Sequence, residues 1–132
     1  MKIYLFLLLT CLGFVMGCGD SGPEIFKVTG TVSFEGTPLT EGSITLEDNN
    51  TGVADSFDIG PNGSYVAEMP AGSYLVSVQP PMVEVADSAN SEGGEEFKRV
   101  SNVPQRYWSS YESKLSVSVT GETSFDVNMT KR

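Results

Sequence analysis

Apolar and polar residues alternate along most of the chain after residue 24. Ile25 to Glu35 sets the pattern. Phe26, Val28, Gly30, Val32 and Phe34 fall on one face, and Lys27, Thr29, Thr31, Ser33 and Glu35 on the other. A period of two with β-branched residues predicts a half-buried strand. Gly36-Thr37-Pro38-Leu39 then turns the chain. Gly42 to Glu47 alternates again, with Ile44 and Leu46 inward, and Val53 to Ile59 gives a weaker third strand. Asp48-Asn49-Asn50-Thr51-Gly52 separates them as a turn. Gly60-Pro61-Asn62-Gly63 is a stronger turn signal, because Asn-Gly tolerates positive φ. Ser64 to Met69 follows, then Pro70-Ala71-Gly72, then Ser73 to Gln79. Tyr74, Val76 and Val78 share one face of the second strand.

The pattern lapses from Pro80 to Asn102. Asp87, Glu92, Glu95, Glu96 and Gly93-Gly94 make this a polar excursion. It resumes with Leu115 to Val119 and Thr123 to Met129, read as a closing hairpin over Thr120-Gly121-Glu122. No amphipathic helix is evident after residue 24. Seven short strands at this spacing predict an all-β sandwich.

Residues 1–17 follow a different rule. Lys2 precedes an apolar run from Ile3 to Met16, 14 residues long. A spanning helix needs about 20 apolar residues. The run is short for a permanent anchor and fits the apolar core of a secretory signal helix. Val15-Met16-Gly17-Cys18 resembles the lipobox of bacterial lipoproteins: an aliphatic residue, a tolerant position, a small residue, then the lipid-accepting cysteine. Cleavage between Gly17 and Cys18 is implied. An uncleaved anchor and plain cleavage with a free Cys18 are the competing readings. Cys11 follows Thr10 rather than a small residue, and reads as apolar filler of the leader. Asp20-Ser21-Gly22-Pro23-Glu24 is a linker. Residues 18–24 span at most about 25 Å at roughly 3.3 Å per residue, so the domain at 25–132 would sit close to its membrane.

Composition narrows the function classes. Acidic residues outnumber basic ones 17 to 8, for a net charge of −9, and Lys2 belongs to the leader. No basic stripe is present, which argues against nucleic acid as a partner. Anionic headgroups would also repel the domain, so the lipid on Cys18 has to hold it at the membrane. With Cys11 removed and Cys18 acylated, no intramolecular disulfide can form. The sequence has no histidine. That removes the usual zinc ligand, the usual general base and every Ser-His or Cys-His pair.

Several stretches carry a family resemblance. Val28-Thr29-Gly30-Thr31-Val32-Ser33-Phe34-Glu35-Gly36-Thr37-Pro38-Leu39 and Gly42-Ser43-Ile44-Thr45-Leu46 look like the opening of carboxypeptidase-regulatory-like domains. Asn62-Gly63-Ser64-Tyr65 and Pro70-Ala71-Gly72-Ser73-Tyr74-Leu75-Val76-Ser77-Val78 resemble their central hairpin. Val103-Pro104-Gln105-Arg106-Tyr107 and Ser113-Lys114-Leu115-Ser116-Val117-Ser118-Val119 are similar to the ending of small lipoproteins common in planctomycete bacteria. The resemblance implies a seven-stranded Greek-key sandwich of transthyretin (prealbumin) type, non-catalytic and without a cofactor. Trp108 departs from the family pattern, where a small polar residue is more usual, and so does the acidic loop.

The expected role is therefore that of a lipid-anchored, non-enzymatic protein of the bacterial cell envelope, structural or engaged with another envelope protein. Gly19 after Cys18 favours the outer membrane, although Asp20 blurs that signal. The alternative is a carbohydrate-binding module. Arg106, Tyr107, Trp108 and Tyr111 cluster in sequence, and exposed aromatic faces stack on sugar rings; rings that cap the core are the plainer explanation. Asp55, Asp58, Asn62 and Glu47-Asp48-Asn49 offer oxygen ligands of the type calcium takes, but not at EF-hand spacing, and Asp and Asn at turns usually cap their own backbone. A small carboxylate-dependent hydrolase is the weakest alternative, because 17 acids in a short chain bring some pair together without a purpose. The acidic loop at 84–96 reads as a solvated excursion, with docking to a cationic partner as its functional alternative.

Overall fold

The strand that organises the chain is β1 (Ile25–Phe34), which is paired along both edges. The computed structural model describes residues 19, 21–85, 96–99 and 102–131, with 84, 85 and 96–99 described by backbone alone. The expected signal segment, Cys18 and most of the acidic loop lie outside the described residues.

On one side, β1 meets β5 (Ser64–Pro70) antiparallel, from Ile25 opposite Pro70 to Thr31 opposite Ser64. Beyond this, it turns tightly into β2 (Thr37–Pro38). The turn is one residue earlier than the sequence pattern placed it. Glu35 and Gly36 both take positive φ, at 49° and 83°, the geometry of a two-residue hairpin whose twist matches its strands. On its other side, β1 meets the C-terminal segment in parallel, first β10 (Thr123–Ser124), then β11 (Val127–Met129). The second sheet has the order β4 (Ala54–Asp58), β3 (Ser43–Asp48), β6 (Gly72–Gln79), β9 (Leu115–Val119).

Two expected hairpins are therefore sheet-to-sheet crossings. The Ser64–Met69 strand pairs with β1, while Ser73–Gln79 pairs with β3 and β9. Likewise β9 lies beside β6, and the chain crosses at Thr120-Gly121-Glu122 to reach β1. Alternation fixes which face of a strand is buried but not which neighbour it takes. Both faces of a sandwich core accept the same residues. The Pro80–Asn102 excursion contains a two-stranded ladder, β7 (Met82–Val85) and β8 (Glu96–Arg99). Between it and β9, the chain makes a 3-10 turn (Gln105–Trp108) and a single helical turn, α1 (Ser110–Ser113).

The inward faces match the sequence pattern. Val28 and Val32 of β1, Ile44 and Leu46 of β3, Tyr65, Ala67 and Met69 of β5, Tyr74, Val76 and Val78 of β6, Val117 and Val119 of β9, and Val127 and Met129 of β11 form one buried core. Phe26, Phe34, Phe57, Leu115 and Phe125 pack at its margins. Burying such side chains stabilises by roughly 1.5–3 kcal/mol each against leaving them in water.

Gly30 lies on that inward face for a specific reason. The C-terminal segment breaks its ladder between β10 and β11, and there the Phe125 carbonyl is pushed over β1. A Cβ on Gly30 would lie 1.9 Å from that oxygen. The break is stitched by other donors. Phe125 N donates to Thr29 O at 2.8 Å, the Tyr65 hydroxyl donates to Phe125 O at 2.6 Å, and Thr31 N and Oγ1 both donate to Asp126 Oδ1, at 2.8 and 3.0 Å. Burial, then the neighbouring Asp126 charge, pushes the Tyr65 phenol well above its ordinary value. A raised folded-state pKa contributes stability that is complete below the unfolded pKa, about 10, and is lost as pH rises beyond it. Unfolding midpoints should therefore fall above about pH 10, and in Tyr65→Phe that alkaline loss should be smaller. Urea midpoints across pH 8 to 11.5 measure it; parallel curves for the two proteins would contradict it.

The registers also set the two ends of the sandwich. Ile25, Pro70-Ala71-Gly72, Val119 and Asp48 lie together at one end. Phe34, Ser43, Asp58 and Gln79 lie at the other. Ten residues of β1 separate them, about 30 Å at roughly 3.3 Å per residue.

Candidate functional site

The segment from Val103 to Trp108 closes the end of the sandwich opposite Ile25, and α1 then runs back along β6. Pro104 starts it in an extended conformation, and its carbonyl accepts from Tyr107 N to form the 3-10 turn. Tyr107 then points into the core and is 4% exposed. Its phenol oxygen accepts from Thr130 N at 3.1 Å and from Arg106 Nη2. The Arg106 guanidinium also lies 4.6 Å above the Tyr107 ring centroid, within cation–π range. Arg106 Nη2 donates in addition to Thr130 Oγ1 at 2.8 Å. Burial raises the Tyr107 phenol, but the Thr130 backbone hydrogen bond, the hydrogen bonds to Arg106 and Thr130, and the Arg106 charge together outweigh it, and the net shift is downward. Arg106 and Tyr107 thus lock the C-terminal strand to the cap.

Trp108 is half-buried against the core margin. Its indole nitrogen donates to Val103 O at 3.1 Å, and its carbonyl accepts from Gln79 Nε2. Tyr111 points away and is 76% exposed. The four residues singled out from the sequence therefore divide. Arg106 and Tyr107 are tied into the cap, Trp108 lines the surface, and Tyr111 stands apart on α1. Ser110 and Ser113 seat α1 across β6. Ser110 Oγ donates to Glu47 Oε2 at 2.7 Å, and Ser113 Oγ donates to Val76 O.

Trp108 has a different aromatic companion. Phe34, from the end of β1, lines the same surface depression of about 420 Å³, with Val103, Pro104, Gln105 and Lys131. Phe34 also forms one wall of an adjoining depression of about 520 Å³ that includes Pro38, Leu39 and Asn102. Both depressions have Phe34 in their lining, so they lie next to one another at this end of the sandwich. The Lys131–Glu35 ion pair, 3.9 Å and well exposed, lies beside them and contributes little to stability. The sequence hid this pairing because 74 residues separate Phe34 from Trp108; only the parallel docking of β11 on β1 unites the two regions. A third depression, about 520 Å³, lies at the same end between Glu41-Gly42-Ser43 and Pro80-Pro81-Met82.

The oxygen ligands considered for calcium are spread over β3, β4 and the turns that follow each of them. Asp48 Oδ1 accepts from Asn50 N at 2.7 Å and Thr51 N at 3.1 Å, so it shapes its own turn. Glu47 holds Ser110. Among the described residues no three of His, Cys, Asp and Glu are grouped to hold a metal, and no described helix is long and apolar enough to cross a membrane.

No protein-family model and no curated protein matches the chain. Among solved structures it is similar to a DUF3823 family protein from Parabacteroides merdae. The two are 16% identical, with a TM-score of 0.47, over 81% of this chain and 46% of the other. This chain thus aligns with about half the length of that protein.

Proposed function

We propose that this protein is a lipid-anchored, non-catalytic interaction module of the bacterial cell envelope. Its domain is read as a carboxypeptidase-regulatory-like, Greek-key sandwich of transthyretin type. In this reading, Cys18 carries the lipid after cleavage behind Gly17, and residues 19–24 are the tether. The supporting observation is the placement of the two ends. The tether would enter at Ile25, and the three depressions lie about 30 Å away at the other end, using about 3.3 Å per strand residue. A domain held this way offers its grooves away from the membrane, to a partner approaching from the aqueous side. The outer membrane is the favoured site of attachment.

In-cell photo-crosslinking tests this. Benzoylphenylalanine at Gln105, exposed at the groove end, should give one reproducible adduct. The same group at Glu122, exposed at the tether end, should give none. Equal adducts from both positions, or none from either, would reject the presentation of a groove end.

A second reading is binding of envelope glycan, favoured by the shared lining of one depression by Phe34 and Trp108. Base or sugar stacking on such rings is lost when the ring is removed. Trp108→Ala should then reduce retention on an envelope polysaccharide at least about tenfold, equivalent to about 1.4 kcal/mol. Tyr111→Ala should leave it intact. Absence of binding to any polysaccharide fraction by the native protein would end this reading.

A further inference from the structure

The groove between Glu41-Gly42 and Pro80-Met82 has a chemistry distinct from the Phe34–Trp108 depression. Its base is apolar, formed by Ile59, only 5% exposed, and by the two prolines. Gly42 makes the base possible. At φ 127° it approaches the Gln79 carbonyl so closely that a Cβ would lie 2.6 Å from the oxygen. On one wall Met82 is 65% exposed. A methionine left in water has lost the roughly 1.5–3 kcal/mol that burial supplies. Its unbranched, polarizable chain adapts to an incoming apolar side chain better than a β-branched residue would. The opposite rim carries two carboxylates, Glu41 and Asp58, both exposed. Neither is in the ion pair found among the described residues, which joins Lys131 to Glu35.

We propose that this groove docks a short extended peptide segment of a partner protein, one apolar side chain flanked by lysine or arginine. The apolar side chain would lie against Met82 and Pro81, and the cations against Glu41 and Asp58. Charge complementarity selects this occupant. A second copy of the chain would bring a net charge of −9 against the same negative rim, and like-charge contacts oppose association. The volume of about 520 Å³ accommodates a few side chains rather than a helix. The proposal rests on the reading of the domain as an interaction module, but not on its lipid.

The test is fluorescence anisotropy of a labelled, blocked Lys-Leu-Lys peptide against the full chain in non-ionic detergent, at low salt. Binding is expected, with none for the Glu-Leu-Glu counterpart. The Glu41→Gln, Asp58→Asn double variant should weaken binding about tenfold, and half-molar salt should do the same. Met82→Ser should weaken it severalfold. Glu68→Gln, exposed on β5 and distant, should bind as the native chain does. Arg99 stands opposite Met82 in the β7–β8 register, and removing its charge takes no carboxylate from the rim. Arg99→Gln should therefore bind equally or more tightly. No peptide binding, equal binding of the acidic peptide, equal loss in Glu68→Gln, or loss in Arg99→Gln would each overturn the proposal. So would self-association that Met82→Ser abolishes in the absence of peptide binding. In-cell adducts from Gln105 without Lys-Leu-Lys binding would reject the groove and leave the module reading standing.

Discussion

Gly30→Ala is expected to destabilise the domain by about 3–5 kcal/mol, the range of severe packing conflicts. The added Cβ meets the Phe125 backbone oxygen at 1.9 Å, with the Phe125 carbonyl carbon at 2.6 Å behind it. Neither atom belongs to a flexible side chain. Relief requires the C-terminal segment to lift from β1, which breaks the Phe125–Thr29 and Tyr65–Phe125 hydrogen bonds together. A small domain has about 5–15 kcal/mol in total, so the variant should melt at least about 10 °C lower or fail to fold. Gly121→Ala is the control. Nothing lies within 4 Å of a Cβ there, and its effect should stay within about 0.5 kcal/mol. Circular dichroism on thermal and urea unfolding reads both. Equal effects at the two glycines would mean that the parallel docking of residues 123–129 on β1 is wrong.

Cys18→Ser is expected to move the protein entirely from the membrane to the soluble fraction or to leave it as unprocessed precursor. In the proposed reading the lipid on Cys18 is what holds the domain at the membrane. Each buried methylene contributes about 0.8 kcal/mol, and two acyl chains suffice for stable anchoring. The domain itself is acidic, and the outward residues of β1, Lys27, Thr29 and Thr31, are polar and exposed. Fatty-acid labelling with membrane fractionation measures the effect. Retained labelling in Cys18→Ser would assign the lipid elsewhere, Cys11 being the other cysteine.

The sequence was most informative where period two meets a single core. Each inward residue read from β1, β3, β6 and β9 is buried or at the core margin. Partner choice was less legible. A strand with one apolar face fits either sheet of a sandwich, so short turns such as Ala71 read as hairpins when they cross between sheets. Gly30 was legible as an inward position and illegible as a close approach, because its neighbour Phe125 is 95 residues on. The site divides along the same line. Trp108 was visible as an unusual residue. Phe34, which lines the same depression, was indistinguishable from any other inward phenylalanine. Tyr107 reads as a ligand ring only until its hydrogen bonds to Thr130 and Arg106 tie it into the cap.

The proposed orientation of the domain at a membrane can be tested with the single tryptophan, Trp108. The lipidated protein is reconstituted in phosphatidylcholine vesicles brominated on their acyl chains. If Cys18 holds the Ile25 end at the bilayer, the protein floats with the vesicles, yet Trp108 emission is unquenched. The Trp108→Phe, Glu122→Trp double variant, carrying its indole at the tether end, should be quenched strongly. Quenching of Trp108 as deep as that of the tether-end variant would contradict presentation of the groove end to the aqueous side, and failure to float would contradict the lipid anchor itself.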